Sequence, residues 1–502
     1  MSADTVGLLL RGQARARGDH PLLRCDDECL RYAEADERSF ELARGLVALG
    51  AGKGTHVGVL YPNGAAFVVA MLAAARIGAV VVPFSTFSTG PELADQLVHS
   101  DTEILLATSR FRGHDYVARL RDVRAPWLRH VVFDNQIADV ASASVTAALE
   151  DDVDGCDPLA IVYTSGSTAA PKGVVHTHGS LLGHQHNLNA IRGLTAADRL
   201  FCNSPFFWVG GLAFAFLATL DAGATLVCSN AADAAEVLDL LEATRPTITN
   251  GFVAGIRHLT RHESFAHRDL SWLRRGNLYP IMAPDVRPRD PELRHQMLGM
   301  TESGSVVTLS ADTTDQPEHR RGSFGKPAPG FEIRLADPDT GVAVAAGDLG
   351  ELCIRGRYLM QHYYKRSREE SFDADGWFHT GDLVRTDDEG FVYFAGRRGA
   401  MIKTAGANVF PGEVEKAIAA VTDGLTAHVL GLPDPERGQI VAAAVIVTDG
   451  HEFDDTAVRQ RLKTELSSYK IPRRFLALSP DELPLMSSGK VDLPRLRAMF
   501  DA

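Results

Sequence analysis

Short runs of β-branched and aliphatic residues alternate with longer amphipathic segments through the first half of the chain. His56-Val-Gly-Val-Leu60 has the length and branching of a buried strand, and Ala65–Gly78 predicts a helix that stops at a C′ glycine. Val80–Pro83 predicts the next strand, and the strand–helix–strand rhythm implies a parallel sheet. The rhythm returns at Leu159–Tyr163 and at Thr225–Cys228. From about Phe324 the pattern shortens to alternating runs such as Phe331–Leu335 and Gly350–Arg355, which predicts a smaller β-rich lobe. Beyond Arg397 the spacing predicts a helix over Pro411–Ala420, strands over Ala427–Leu430 and Ile440–Val447, and a helix over Asp455–Leu466. The expected architecture is an α/β multidomain protein. Residues 1–396 form a large N-terminal domain with parallel sheets and the small β-rich lobe, and residues 397–502 form an α+β C-terminal domain.

Composition narrows the function. A chain of 502 residues exceeds what one core serves, in line with several domains. A formal net charge of −13 opposes a nucleic-acid partner, whose affinity comes from neutralised phosphates, yet leaves room for a local basic patch. Six cysteines are scattered, and the one close pair, Cys25 and Cys29, has no second pair or histidine partner at zinc spacing. Reduced thiols and a cytoplasmic location are expected. Gly7–Leu10 is interrupted at Arg11, too short for a signal h-region, and Ala65–Ala75 falls short of a membrane span.

Chemistry first enters at Tyr163-Thr-Ser-Gly-Ser-Thr-Ala-Ala-Pro-Lys-Gly-Val174, directly after a strand pattern. Small hydroxyl residues and a glycine let backbone N–H groups and hydroxyls wrap an oligophosphate, and Lys172 adds a mobile point charge. The spacing of Gly166 and Lys172 does not match a Walker A loop. Read alone, an ordinary polar turn fits the same residues.

The segment closely resembles the signature loop of the ANL adenylate-forming superfamily, T-S-G-[ST]-T-G-x-P-K-G, in its acyl-CoA synthetase branch. Further stretches follow in that family's order across most of the chain. Leu298-Gly-Met-Thr-Glu302 is similar to Y-G-x-T-E, His379-Thr-Gly-Asp-Leu383 to the T-G-D motif, and Leu485-Met-Ser-Ser-Gly-Lys490 to the C-terminal G-K motif. The resemblance implies the ANL fold, with a mobile C-terminal domain, and an acid–thiol ligase that makes a coenzyme A thioester through an acyl-AMP. ATP, Mg²⁺ and coenzyme A would be its cofactors. It implies that Thr164, Ser165, Gly166, Ser167, Thr168 and Lys172 hold phosphates, with Asp382 on the ribose and Arg397 beside it. Thr301 would touch a phosphate, Glu302 would hold Mg²⁺, and Lys490 would bridge the carboxylate and the α-phosphate. Asn203-Ser-Pro-Phe-Phe-Trp-Val-Gly-Gly-Leu212 is similar to the motif lining the acyl pocket and thiol tunnel, which points to Phe207, Trp208, Gly210 and Gly211. Met401–Glu415 is similar to the hinge and thiolation-loop motif, which points to Ala400, Lys403, Gly406 and Asn408. Between these motifs, His176, His178, His184 and His186 lie close together without a carboxylate or thiol to complete a metal set.

The chain departs from the family pattern at Ala169, Leu298, Ala400 and Ala405, and Leu278–Asp285 lacks a G-G-A-P-like adenine loop. Most of these changes fall on the adenylating half. An enzyme that converts a preformed acyl-adenylate, with weak or absent adenylation, is therefore one alternative. It would be coupled to a sister adenylating ligase, as the similarity to a platensimycin-type diterpenoid pathway suggests. A stand-alone protein loading a separate carrier, and a non-catalytic acyl-adenylate binder, are two others. A homodimer stays open. Phe206, Phe207, Phe214 and Phe216 around Trp208, with no aspartate over Asn203–Phe216, favour a hydrophobic acid over an amino acid.

Overall fold

The computed structural model describes residues 4–164, 172–337, 340–397, 402–409, 411–447, 453–485 and 491–500. They fall into two compact units. The first runs to Thr86, resumes at Leu97–Tyr163, and continues from Gly173 through the strand Val392–Arg397. The second gathers Phe87–Gln96, Thr164, Lys172 and the described residues from 402 onward.

Two six-stranded sheets organise the first unit. One is ordered Lys172–Thr177, Pro158–Thr164, Val80–Pro83, His56–Leu60, Ile104–Ala107, His130–Phe133. The other is ordered Arg275–Gly276, Ile248–Asn250, Arg199–Cys202, Thr225–Cys228, Pro21–Cys25, Glu28–Arg31, and is parallel except for its last pair. The predicted helix runs from Ala65 to Arg76, and Gly78 takes φ +70° just beyond it. That helix is apolar all round, so it must be buried all round. It sits in one core that takes Val57 and Val59 from the first sheet and Leu23, Leu200 and Leu226 from the second. An antiparallel sheet of Phe331–Ala336, Gly350–Gly356, Phe378–Thr386 and Val392–Arg397 forms the expected β-rich lobe.

In the second unit Gly438–Ile446 pairs with Thr426–Asp434, Ile402–Thr404 and Arg474–Leu478. Strict alternation splits the hairpin between two cores. Val429, Val441, Ala443 and Val445 meet helices Pro411–Val421 and Asp455–Glu465, while Leu430, Leu432, Ala442 and Ala444 meet Leu496 and Phe500. The first hairpin strand extends well past the predicted Leu430, because Gly431 and Pro433 break the sequence pattern without breaking the pairing near the turn. A buried Lys470 draws the early segment Phe87–Gln96 into this unit. It donates to Glu92 (3.0 Å) and Glu413 (2.6 Å), with Ser467 also on Glu92 (2.7 Å). No described helix is long and apolar enough to cross a membrane.

Candidate functional site

The strands Pro158–Thr164 and Lys172–Thr177 flank the hydroxyl-rich sequence segment. Ser165, Gly166, Ser167, Thr168 and Ala169 lie outside the described residues; Thr164 and Lys172 are half-buried at the two strand ends. A glycine follows the lysine for a packing reason: a Cβ at Gly173 would lie 2.6 Å from the Ile161 side chain. The segment Met360–Tyr364 straps the exit strand down. Val175 N–H donates to His362 O (3.1 Å), Gln361 N–H to Val175 O (2.8 Å) and Tyr364 N–H to Gly173 O (2.7 Å). The same strap reaches the threonine–glutamate pair. Met360 N–H donates to Glu302 O (2.8 Å), and the Tyr363 hydroxyl donates to Glu302 Oε1 (2.6 Å). Glu302 Oε2 takes no hydrogen bond among the described residues. No sequence motif marks Tyr363, which stands 61 positions from the carboxylate it orients.

Thr301–Ser303 form one 3₁₀ turn that ends at Gly304, φ +69°. A turn this irregular needs partners for its backbone, and the strand and helix beneath supply them. His176 Nε2–H donates to Thr301 O (2.7 Å), His184 Nε2–H to Val306 O (2.9 Å) and the Gln185 amide to Gly304 O (3.3 Å). Burial pushes both imidazoles down to about 4, so each is neutral near pH 7 with one N–H to give. The four clustered histidines therefore diverge. His178 Nδ1 accepts from Val6 N–H (3.2 Å), and His186 faces Asp221 (3.3 Å).

Asp382 is buried on the strand Phe378–Thr386. The Thr380 hydroxyl fixes the approach to it, donating to Leu352 O (2.7 Å) and accepting from Asp382 N–H (3.0 Å). Gly381 takes φ +74° and donates to Glu351 Oε1 (2.9 Å). Arg397 pairs with Asp382 across the ladder; its side chain lies outside the description. One apolar cluster underlies all three pieces. Val174 comes from the exit strand, Leu298 and Met300 precede the Thr-Glu turn, Tyr363 is on the strap, and Phe378 and Val384 flank Asp382. Leu298, where the motif has an aromatic, is a buried member of that cluster.

The aromatic motif is set at the carboxyl end of Arg199–Cys202. Asn63 holds its backbone, donating to Ser204 O (3.0 Å) and accepting from Phe206 N–H (2.7 Å). Gly211 is required, since a Cβ there would lie 2.1 Å from Pro205 O, whereas Gly210 has room. Phe207 is buried, and half-buried Trp208 packs edge-on to Phe207 and Phe252, each at 5.8 Å. Leu212–Leu217 then form a π-helical stretch, a feature that often accompanies functional sites and leaves no periodic trace in so short a run.

In the second unit Ile402–Thr404 and Ala407–Val409 form a hairpin around Ala405 and Gly406. Both turn residues have positive φ, +48° and +84°, the pattern of a type I′ turn. Lys403 is exposed, and its N–H donates to Gln439 Oε1 (2.8 Å). Asn408 pairs with Lys403 through its backbone, its side chain lying outside the description along with Ala400 and Lys490.

Comparison with known proteins finds matches over most of the chain. A family model described as AMP-binding enzyme matches residues 10–364, and one described as AMP-binding enzyme C-terminal domain matches residues 413–490. A putative acyl-CoA synthetase, YngI of Bacillus subtilis, is 29% identical over 98% of this chain and 96% of its own length. A feruloyl-CoA synthase from an Amycolatopsis species is 32% identical, with 94% of each chain covered. The o-succinylbenzoate CoA synthetase of Bacillus subtilis, bound to a product analogue, superposes with a TM-score of 0.79 at 24% identity, covering 97% of each chain.

Proposed function

We propose a reaction for a chain that belongs to the AMP-binding enzymes, in the acyl-CoA ligase branch of the adenylate-forming ANL superfamily. It joins ATP and a hydrophobic, ring-bearing carboxylic acid, then passes the acyl group to coenzyme A. In the first step the acid's carboxylate oxygen forms a bond to the α-phosphorus, and the bond to pyrophosphate breaks. In the second the thiolate of coenzyme A forms a bond to the acyl carbon, and the bond to AMP breaks, the thiol proton going to solvent.

The observation that supports this most is the strap from Met360 to Tyr364, which joins the exit strand of the phosphate turn to Glu302. Thr164 to Thr168 and Lys172 take the phosphates, with Thr301 beside them. Glu302 fits a Mg²⁺ ligand: one hard oxygen is held by Tyr363 and the other is open among the described residues. Mg²⁺ bound there supplies charge neutralisation to the phosphates. Asp382, backed by Thr380 and facing Arg397 across the ladder, accepts the ribose hydroxyls. Lys490 donates to the carboxylate and α-phosphate as charge builds, a contribution of about 3 kcal/mol for one well-placed donor. Residues 1–396 carry these groups except Arg397 and Lys490, and residues 397–502 turn about Ala400 to present Lys403, Gly406 and Asn408 to the thiol.

Phe207, Trp208 and Phe252 form an aromatic wall, and no carboxylate stands in Asn203–Phe216 to hold an ammonium group. The likeness to a synthase named for feruloyl-CoA supports a ring-bearing acid. Mass spectrometry of products from a panel of aryl, polycyclic and straight-chain acids, each with ATP and coenzyme A, tests the reading. Aryl or polycyclic acyl-CoA is the expected product; with amino acids added to the panel, turnover of straight-chain or amino acids alone would overturn it.

A further inference from the structure

Three strands of the second sheet lead into asparagines at their carboxyl ends: Asn203 after Arg199–Cys202, Asn250 closing Ile248–Asn250, and Asn277 after Arg275–Gly276. In open α/β sheets that end is where ligands sit. Two of the three side chains grip the next loop. Asn277 accepts from Gly251 N–H (3.1 Å) and donates to Gly251 O (2.7 Å). Asn203 accepts from Phe252 N–H (2.8 Å) and donates to Phe252 O (2.9 Å). Two successive residues outside any ladder thus have both backbone groups satisfied by amides from neighbouring strands.

The grip of Asn203 depends on the absence of two side chains. A Cβ at Gly251, φ +148°, would overlap Asn203 Oδ1 at 1.7 Å, and a Cβ at Gly255 would lie 2.8 Å from Asn203 Nδ2. Phe252, so fixed, presents its ring edge-on to Trp208 at an interplanar angle of 88°. Asn203 and Trp208 belong to the same short motif, so the clamp joins that motif to the 251–255 loop on its far side.

We propose that Asn203 is a positioning residue: by holding Phe252 it fixes the Trp208 indole and so sets which acids the pocket admits. This rests on the reading of Phe207, Trp208 and Phe252 as the acyl wall. A wall held by hydrogen bonds to backbone discriminates ring size and shape, whereas a loose wall admits acids more evenly. Asn203 touches neither the reacting carboxylate nor the nucleotide in this account.

The test uses the full-length enzyme, Asn203→Ala, and the milder Gly255→Ala, which intrudes on the clamp without removing it. The ratio of kcat/KM for the best ring-bearing acid to that for a straight-chain acid should fall by about tenfold or more in Asn203→Ala, and in the same direction but less in Gly255→Ala. KM for ATP should stay within about twofold of wild type, since the clamp lies on the acyl side. Acrylamide quenching of Trp208, taken as the difference between each enzyme and its Trp208→Phe counterpart, which keeps only the other three tryptophans, should rise in both variants. Unchanged acid ratios in both variants would overturn the proposal, as would unchanged quenching. A uniform loss for every acid with a lowered melting temperature would also overturn it, by showing a merely structural role. If wild-type enzyme turns over no acid, the reading of the reaction falls, and the quenching measurement by itself still decides whether Asn203 holds Trp208.

Discussion

The proposed nucleotide side and the proposed acyl side of the first unit are built differently. Around Thr301, Glu302 and Asp382 the backbone is irregular, and buried side chains complete its hydrogen bonds: His176, His184, Gln185, Thr380 and the Tyr363 strap. Around Trp208 the wall is aromatic, and its shape depends on glycines at 211, 251 and 255 that leave space for neighbouring oxygens and amides. Hydrogen bonds to fixed carbonyls enforce one geometry, as suits a nucleotide that never changes. On the other side the rings pack against one another and the Asn203 amide fixes the backbone of Phe252, as suits a surface that must match one acid and refuse others.

That contrast yields unequal predictions. The largest concerns Glu302→Gln, which removes charge from the cradle while keeping its size. Acid-dependent pyrophosphate exchange should drop by about 10²- to 10³-fold, and by the same factor for every acid tested. A loss that varies with the acid would break the division between the two sides.

Next comes His176→Phe, which fills the space but leaves the Thr301 carbonyl unpaired. Denaturant unfolding should show a loss of about 1–3 kcal/mol. The histidines also set an acid limit. Burial holds His176, His178 and His184 at about 4, below the ordinary 6.5, so the unfolded chain takes up protons first as pH falls. The stability they confer is complete above about 6.5 and is lost progressively down to about 4. Melting temperature against pH should slope upward across that window, and His176→Phe should flatten the slope; an equal slope in both would refute the assignment.

The smallest effect lies in the second unit. Ala405 occupies φ +48° in a turn that favours glycine or asparagine, so Ala405→Gly should stabilise that unit by about 0.5–1 kcal/mol, read by hydrogen exchange over 402–409.

The sequence disclosed these regions unequally as well. The strand–helix alternation placed His56–Leu60, the helix from Ala65 and Val80–Pro83 because local periodicity and burial agree there. Glu302 and Asp382 stood out because they lie in stretches that resemble a known family's motifs, in that family's order. Their supports were not. Tyr363 reaches Glu302 across 61 positions, and His176 reaches Thr301 across 125, distances that no local pattern spans. The clamp on Phe252 was hidden for the same reason, since Asn203 and Phe252 stand 49 positions apart. Membership of Phe87–Gln96 in the second unit follows from Lys470, a residue the periodicity leaves unremarked.

The most direct test of the central claim is pyrophosphate exchange into ATP, driven by free acid with no coenzyme A present. A working cradle predicts robust acid-dependent exchange in wild type that disappears in Asp382→Ala. Absence of exchange from free acid, together with efficient thioester formation from the synthetic acyl-adenylate and coenzyme A, would contradict it.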